Sequence, residues 1–135
     1  MDILRKIIIQ NGSVIDDDNI VIIGISNVIN GDGCTIIGNS NTVNGDKCIV
    51  DGLENTVNGA LCIIIGNGCE IKGDRCIVHA NECIVYGNEC IVYGKYCDVH
   101  GNDCIIHGNG CEIKGDGCIV YGNGNIDNGI NIVEQ

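Results

Sequence analysis

Cys83-Ile84-Val85-Tyr86-Gly87-Asn88-Glu89-Cys90-Ile91-Val92-Tyr93-Gly94-Lys95-Tyr96 is one seven-residue unit written twice. With cysteine as position a, the unit runs a to g and extends in both directions. All eleven cysteines of the chain fall at a: Cys34, Cys48, Cys62, Cys69, Cys76, Cys83, Cys90, Cys97, Cys104, Cys111 and Cys118. The register runs from Ser13 to Asn125, seventeen heptads, and a strict short repeat of this kind is the signature of a solenoid. Position c is Ile or Val in sixteen heptads, e is Gly in fifteen, and f is Asn or Asp in twelve. Asn27, Asn41, Asn55 and Asn125 take the place of cysteine at a.

Restriction at a, c and e with freedom at b and d is a period of two, the mark of a strand with a, c and e on its inner face. Small and β-branched residues there imply a narrow core. Gly at e followed by Asn or Asp at f is turn chemistry, since both residue types tolerate positive φ. A strand from a to e and a two-residue corner, repeated, build an all-β, two-sided parallel β-solenoid with two heptads, or fourteen residues, in each coil. The acidic b residues Glu70, Asp98 and Glu112 support two sides: their spacings of 28 and 14 residues are both multiples of fourteen, not of twenty-one. The expected organisation is an N-terminal cap segment over 1–12, a repeat roll over 13–131 and a tail over 132–135. About eight coils at about 4.8 Å per strand would make a rod roughly 40 Å long. Ser13 and Asp16 to Asp18 at one end, and Asn123, Asn125, Asp127, Asn128 and Asn131 at the other, are the polar residues a solenoid needs to stop stacking end to end.

The outward residues separate the two sides. On side B, b and d are mostly polar, as in Thr42/Asn44, Thr56/Asn58, Glu70/Lys72, Asp98/His100 and Glu112/Lys114. On side A nearly every b is Ile or Val. Ile23, Ile37, Ile49, Ile63, Ile65, Ile77, Ile91, Tyr93, Ile105, Ile119 and Tyr121 form a strip longer than a soluble monomer usually exposes. This strip is the expected oligomer interface.

Composition narrows the function. The 135 residues contain four Tyr, no Trp, no Phe and no Pro, and carry a formal net charge of -11. That balance argues against nucleic acid as a direct partner, because phosphate binding needs clustered Lys and Arg. It suits a basic protein partner. No run of about 20 apolar residues is present, so no membrane helix is expected. The N-terminal stretch is broken by Arg5 and Lys6 and does not read as a signal peptide. An odd number of cysteines points to a reducing, intracellular setting.

The two quoted heptads resemble the head repeat of YadA-like trimeric autotransporter adhesins, roughly Asn-Ser-Val-Ala-Ile-Gly-x. Cys stands here at the Ser position, and Asn27-Val28-Ile29-Asn30-Gly31 and Asn41-Thr42-Val43-Asn44-Gly45 are closer still. The resemblance covers about residues 13–131. It implies a left-handed β-roll packed as a homotrimer, without the stalk and membrane anchor of an adhesin. The Cys/Gly/Asn composition is also similar to uncharacterised heptad-repeat proteins of marseillevirus-type large DNA viruses, which implies a part in a virion.

Fourteen-residue spacing stacks Cys34, Cys48, Cys62, Cys76, Cys90, Cys104 and Cys118 in one core ladder and Cys69, Cys83, Cys97 and Cys111 in a second. Free thiols packed as small hydrophobes are expected; bridges between ladders and metal binding are the alternatives. Neighbours about 4.8 Å apart are too distant for an unstrained disulfide, and a one-dimensional ladder does not converge on a tetrahedral ion. No cofactor is expected. Asn at a suggests an amide ladder, each side chain bonding to the next. His79 and His107 on side A are metal candidates if symmetry-related copies bring them together. No nucleophile–base constellation, phosphate loop or HExxH motif is present, so no enzyme is expected. Ice binding, which flat β-solenoids perform, calls for a long regular Thr array; Thr35, Thr42 and Thr56 are few and lie on both sides. The reading is a non-enzymatic, self-associating structural or interaction protein, as in a viral particle or other large assembly. An acidic module that mimics nucleic acid and occupies basic proteins is the alternative, and a thiol-rich metal or redox protein the third.

Overall fold

A computed structural model of the chain describes residues 5–129 and 133–134. Every strand is parallel to its neighbours and paired in a fourteen-residue register, as in Ile77↔Ile91, Val78↔Val92 and His79↔Tyr93. Two sheets result. Side A has ten strands, from Ile7–Ile9 through Ile119–Tyr121 to Val133–Glu134, and side B nine, from Val14–Ile15 to Ile126–Asp127. No helix occurs among the described residues. The chain is a two-sided parallel β-solenoid, as the period of two and the spacing of fourteen imply.

The coil number exceeds the expected eight, at about nine. Within the segment taken as a cap, Ile7–Ile9 pairs with Val21–Ile23 as a rung of side A, because Ile7, Ile8 and Ile9 fall on b, c and d when the register is carried back one heptad. At the other end Val133–Glu134 pairs with Ile119–Val120. Asn131, expected among the polar end residues, lies outside the described residues, as do parts of the tail over 132–135.

The core is two columns deep on each side. All a-position cysteines and the c-position Ile and Val residues are buried, Val78, Cys90 and Ile106 completely. Complete burial of a Val or Ile side chain stabilises by about 1.5–3 kcal/mol, and the c column repeats this on every rung. The regular strands span only b to d, shorter than the expected a to e, because the chain already bends at a and e to cross between sheets.

Two corner positions differ from the expected turn chemistry. The regular left-handed residue is g: Glu89 has φ 56, Tyr96 φ 57 and Leu61 φ 59, and glycines such as Gly68 (φ 71) and Gly110 (φ 68) take the same place; at e, Gly38 (φ 146), Gly52 (φ 144), Gly66 (φ 140) and Gly122 (φ 128) also have the positive φ expected there. Glycine at e also answers a steric demand. A Cβ on Gly87 would overlap the carbonyl oxygen of Gly73 on the preceding rung, and one on Gly94 would overlap that of Ala80. The f residues clamp successive corners: the Asp74 carboxylate accepts from the Asn88 backbone N–H at 2.8 Å, and the Asn88 side-chain oxygen accepts from that of Asn102 at 2.9 Å. A short side chain with an acceptor at its first branch is what this bond requires, which accounts for Asn and Asp at f.

Candidate functional site

The core a column carries the least ordinary chemistry. Asn41 is buried, its Oδ1 accepts from the Asn27 backbone N–H at 2.9 Å, and its Nδ2 donates to the Gly24 carbonyl at 3.0 Å. Asn27 and Asn55 repeat the donation, to Gln10 and Gly38, at 2.7 and 2.9 Å. The amide ladder expected at a, side chain to side chain, is therefore replaced by side chain to backbone, since two unpaired backbone groups border each a position. Cysteine meets the same two groups. Cys90 Sγ donates to the Gly73 carbonyl at 3.4 Å, and the Cys34 backbone N–H points at the Cys48 sulfur. Cys and Asn alternate at a because each presents one donor and one acceptor to the same backbone pair.

All eleven cysteines are free and buried. A sulfur that faces a carbonyl oxygen must keep its proton, and the dry core disfavours a thiolate. Burial pushes the Cys34 thiol up. Hydrogen bonds with the Cys48 and Cys76 thiols, then burial, hold the Cys62 thiol far above its ordinary value. The Cys118 and Cys90 thiols do the same for Cys104. Among the described residues no three His, Cys, Asp or Glu side chains converge on a common point that could hold a metal ion.

Side A presents the apolar strip outward. Ile23, Ile37, Ile49, Ile63, Ile65, Tyr93 and Tyr121 are exposed, Ile65 at 44%. Ile77, Ile91, Ile105 and Ile119, at b, are half-buried between neighbouring rungs. Ile7 and Ile9 lengthen the strip by a rung that the repeat count had left out, at 62% and 75% exposure. Asp51 is the single carboxylate among the outward side-chain positions of the described side A strands from Ile7–Ile9 to Ile119–Tyr121. The d column ends in a stack of four rings: His79 on Tyr93 with centroids 4.7 Å apart, Tyr93 on His107 at 4.9 Å, and His107 on Tyr121 at 4.5 Å. The two metal candidates, His79 and His107, thus lie two rungs apart with Tyr93 between them, so one chain does not bring them together.

Side B divides into two halves. Toward the N-terminus, Val14, Val28, Thr42 and Thr56 form the b column. Beside them an amide ladder runs along d: Asn30 donates to Asp16 at 2.7 Å, Asn44 to Asn30 at 2.9 Å and Asn58 to Asn44 at 2.9 Å. This ladder was not anticipated, although Asn at d in three consecutive side B heptads is its signal. Toward the C-terminus charges pair: Lys72 with Glu70 at 3.0 Å, and Lys114 with Glu112 at 3.2 Å and Asp98 at 3.7 Å; His100 Nε2 lies 3.0 Å from the Asp98 carboxylate. Tyr86 stacks on His100 with centroids 4.8 Å apart. These pairs are exposed or half-exposed, so solvent and salt screen them and they contribute little to stability.

Two flat, regular faces on a rigid core can bind a flat or repetitive partner. No described cluster offers nucleophilic or metal-assisted catalysis. No curated protein and no solved structure matches the chain. The family model described as grass antifreeze beta roll matches residues 14–108. That span covers most of the coils and both columns of side B's N-terminal half. Its architecture agrees with the coil observed here, and the antifreeze-type β-roll family is not an enzyme family. The chain belongs to the grass antifreeze beta-roll family.

Proposed function

We propose that this chain is a non-enzymatic binding β-roll that works through side A and associates there with further copies of itself. The homotrimer implied by the adhesin-head repeat is the expected assembly. The observation that carries this reading is the long, mostly apolar strip on side A, broken among its outward positions by Thr35, Asp51, His79 and His107, in a chain whose net charge is -11. Among the outward positions of the described side A strands from Ile7–Ile9 to Ile119–Tyr121, Asp51 is the single carboxylate, so a second copy can approach most of this face without burying ionised groups. Hydrophobic faces of this length are rarely left in water. A rod with one such face suits a structural part in a larger assembly. Light scattering under reducing conditions tests it: a mass near three times 14.3 kDa is expected. Ile63→Lys with Ile91→Lys should return the monomer with an unchanged strand spectrum. A wild-type monomer at all concentrations would overturn the reading.

A second reading is supported by the family match: binding to an ice surface. Side B's N-terminal half offers Thr42, Thr56 and the Asn30, Asn44 and Asn58 amides at regular rung spacing. Thermal hysteresis and ice-recrystallisation assays address it. Activity abolished by Thr42→Lys but untouched by Ile63→Lys would place the ice-binding function on side B; no activity would remove it and leave side A unaffected.

A further inference from the structure

Two closed columns of thiols run along the inside of the roll. One holds Cys34 to Cys118, seven sulfurs, and begins below Ile20; the other holds Cys69 to Cys111, four sulfurs, bounded by Asn55 and Asn125. Their strands are in register, so successive sulfurs repeat at the strand spacing of about 4.8 Å. Each sulfur is anchored in the column by a bond to a backbone carbonyl: Cys62 Sγ donates to the Gly45 carbonyl at 3.4 Å, Cys76 to Gly59 at 3.3 Å and Cys90 to Gly73 at 3.4 Å. The absence of converging ligands among the described residues rules against tetrahedral zinc. It does not bear on an ion that asks for two ligands in a line.

We propose that pairs of successive thiols in these columns are binding sites for a soft, linear, two-coordinate metal cation. Twice a metal–thiolate bond of about 2.3 Å is about 4.6 Å, close to the rung spacing. Thiolate is the ligand class that soft ions prefer. A divalent ion of this class balances charge: two thiols lose two protons to solvent, two sulfur–metal bonds form, and the buried unit S–M–S is neutral. That neutrality lets it sit in a core that rejects a bare thiolate. Each sulfur serves one ion only, because a second ion on the same column would have to bind in line on its far side, away from the directions a thiolate bonded to Cβ offers. The seven-thiol column therefore holds three ions with one thiol left over, and the four-thiol column two.

The test uses mercuric ion as probe. The full chain is refolded from urea with excess ion in a phosphine-reduced buffer, so that burial does not bar entry, and then desalted. Five ions per chain by native mass spectrometry, ten protons released and an intact strand spectrum are the expected result. Parity gives the sharper test. Cys34→Ser removes the leftover thiol and should still hold five ions. Cys48→Ser isolates Cys34, leaves five contiguous thiols in that column, and should hold four. Equal losses in both variants, one ion per thiol, binding only with loss of strand structure, or zinc retained in a fixed ratio would each overturn the proposal. If Cys48→Ser does not fold, the wild-type ion and proton counts decide alone.

Discussion

Replacing Asn41 measures how the a column is held. Asn41 is 1% exposed and supplies one acceptor and one donor to backbone groups that the strands do not use: the Asn27 N–H at 2.9 Å and the Gly24 carbonyl at 3.0 Å. Asn41→Ala removes both partners at once. A buried polar group left unpaired costs about 1–3 kcal/mol, so two cost about 2–6 kcal/mol. Asn41→Cys should cost far less, about 1 kcal/mol, within the range of a weaker pair of hydrogen bonds. The sulfur would repeat what Cys48 and Cys90 do, accepting from the N–H one rung back and donating to the carbonyl. Urea unfolding followed by circular dichroism, with linear extrapolation under reducing conditions and at fixed protein concentration, gives both values. Asn41→Leu serves as a third arm: it fills the volume without either bond and should resemble Ala. Equal stability of the Ala and Cys variants would refute the view that Cys and Asn share one hydrogen-bonding task at a.

Gly87→Ala should destabilise by about 3 kcal/mol, the upper end of the overpacking range, because its Cβ would overlap the Gly73 carbonyl. Gly124→Ala, with φ 69 and open space around it, should cost only about 1–2 kcal/mol for left-handed strain; urea midpoints in the reverse order would contradict the steric account. Leu61→Asn should stabilise by about 0.5–1 kcal/mol, since Leu61 is held at φ 59, is 47% exposed, and Asn tolerates that region. A lowered midpoint would show that Leu61 packs on something its exposure does not reveal. The cysteines should resist an aromatic disulfide reagent at pH 8 while the chain is folded, because all eleven are buried in the core, out of the reagent's reach. Cys34 adds a pH dependence: burial holds its folded value above its unfolded one, so in the fold it keeps its proton to higher pH than in the unfolded chain. All eleven should react in denaturant; fast labelling of the folded chain would refute a closed core.

The heptad repeat made the fold class, the two-sided coil, the a and c core and the split between an apolar and a polar face legible without coordinates. Each follows from a periodicity, and a periodicity survives translation into space. The Ile column of side A and the cysteine columns lie where the fourteen-residue spacing puts them. What was not legible depends on contacts between rungs. Glycine at e looked like a turn residue, because the carbonyl that excludes its Cβ belongs to a residue fourteen positions earlier. Asn at f looked like a turn residue for the same reason, while its true partner is the next corner's N–H.

Sequence alone thus determined which residues face inward and which outward, since strand geometry alternates whatever the partners are. Only the tertiary structure decided which atoms meet. It assigned the left-handed conformation to g, turned the expected amide ladder at a into bonds to backbone, and moved the side-chain amide ladder to Asn30, Asn44 and Asn58 on the outer surface. It also stacked the rings of His79, Tyr93, His107 and Tyr121, whose succession along the d column follows from the fourteen-residue spacing. The physical reason is that hydrogen bonds and ring stacks are set by distances of a few ångströms between successive coils, and those distances exist only once the coils have closed.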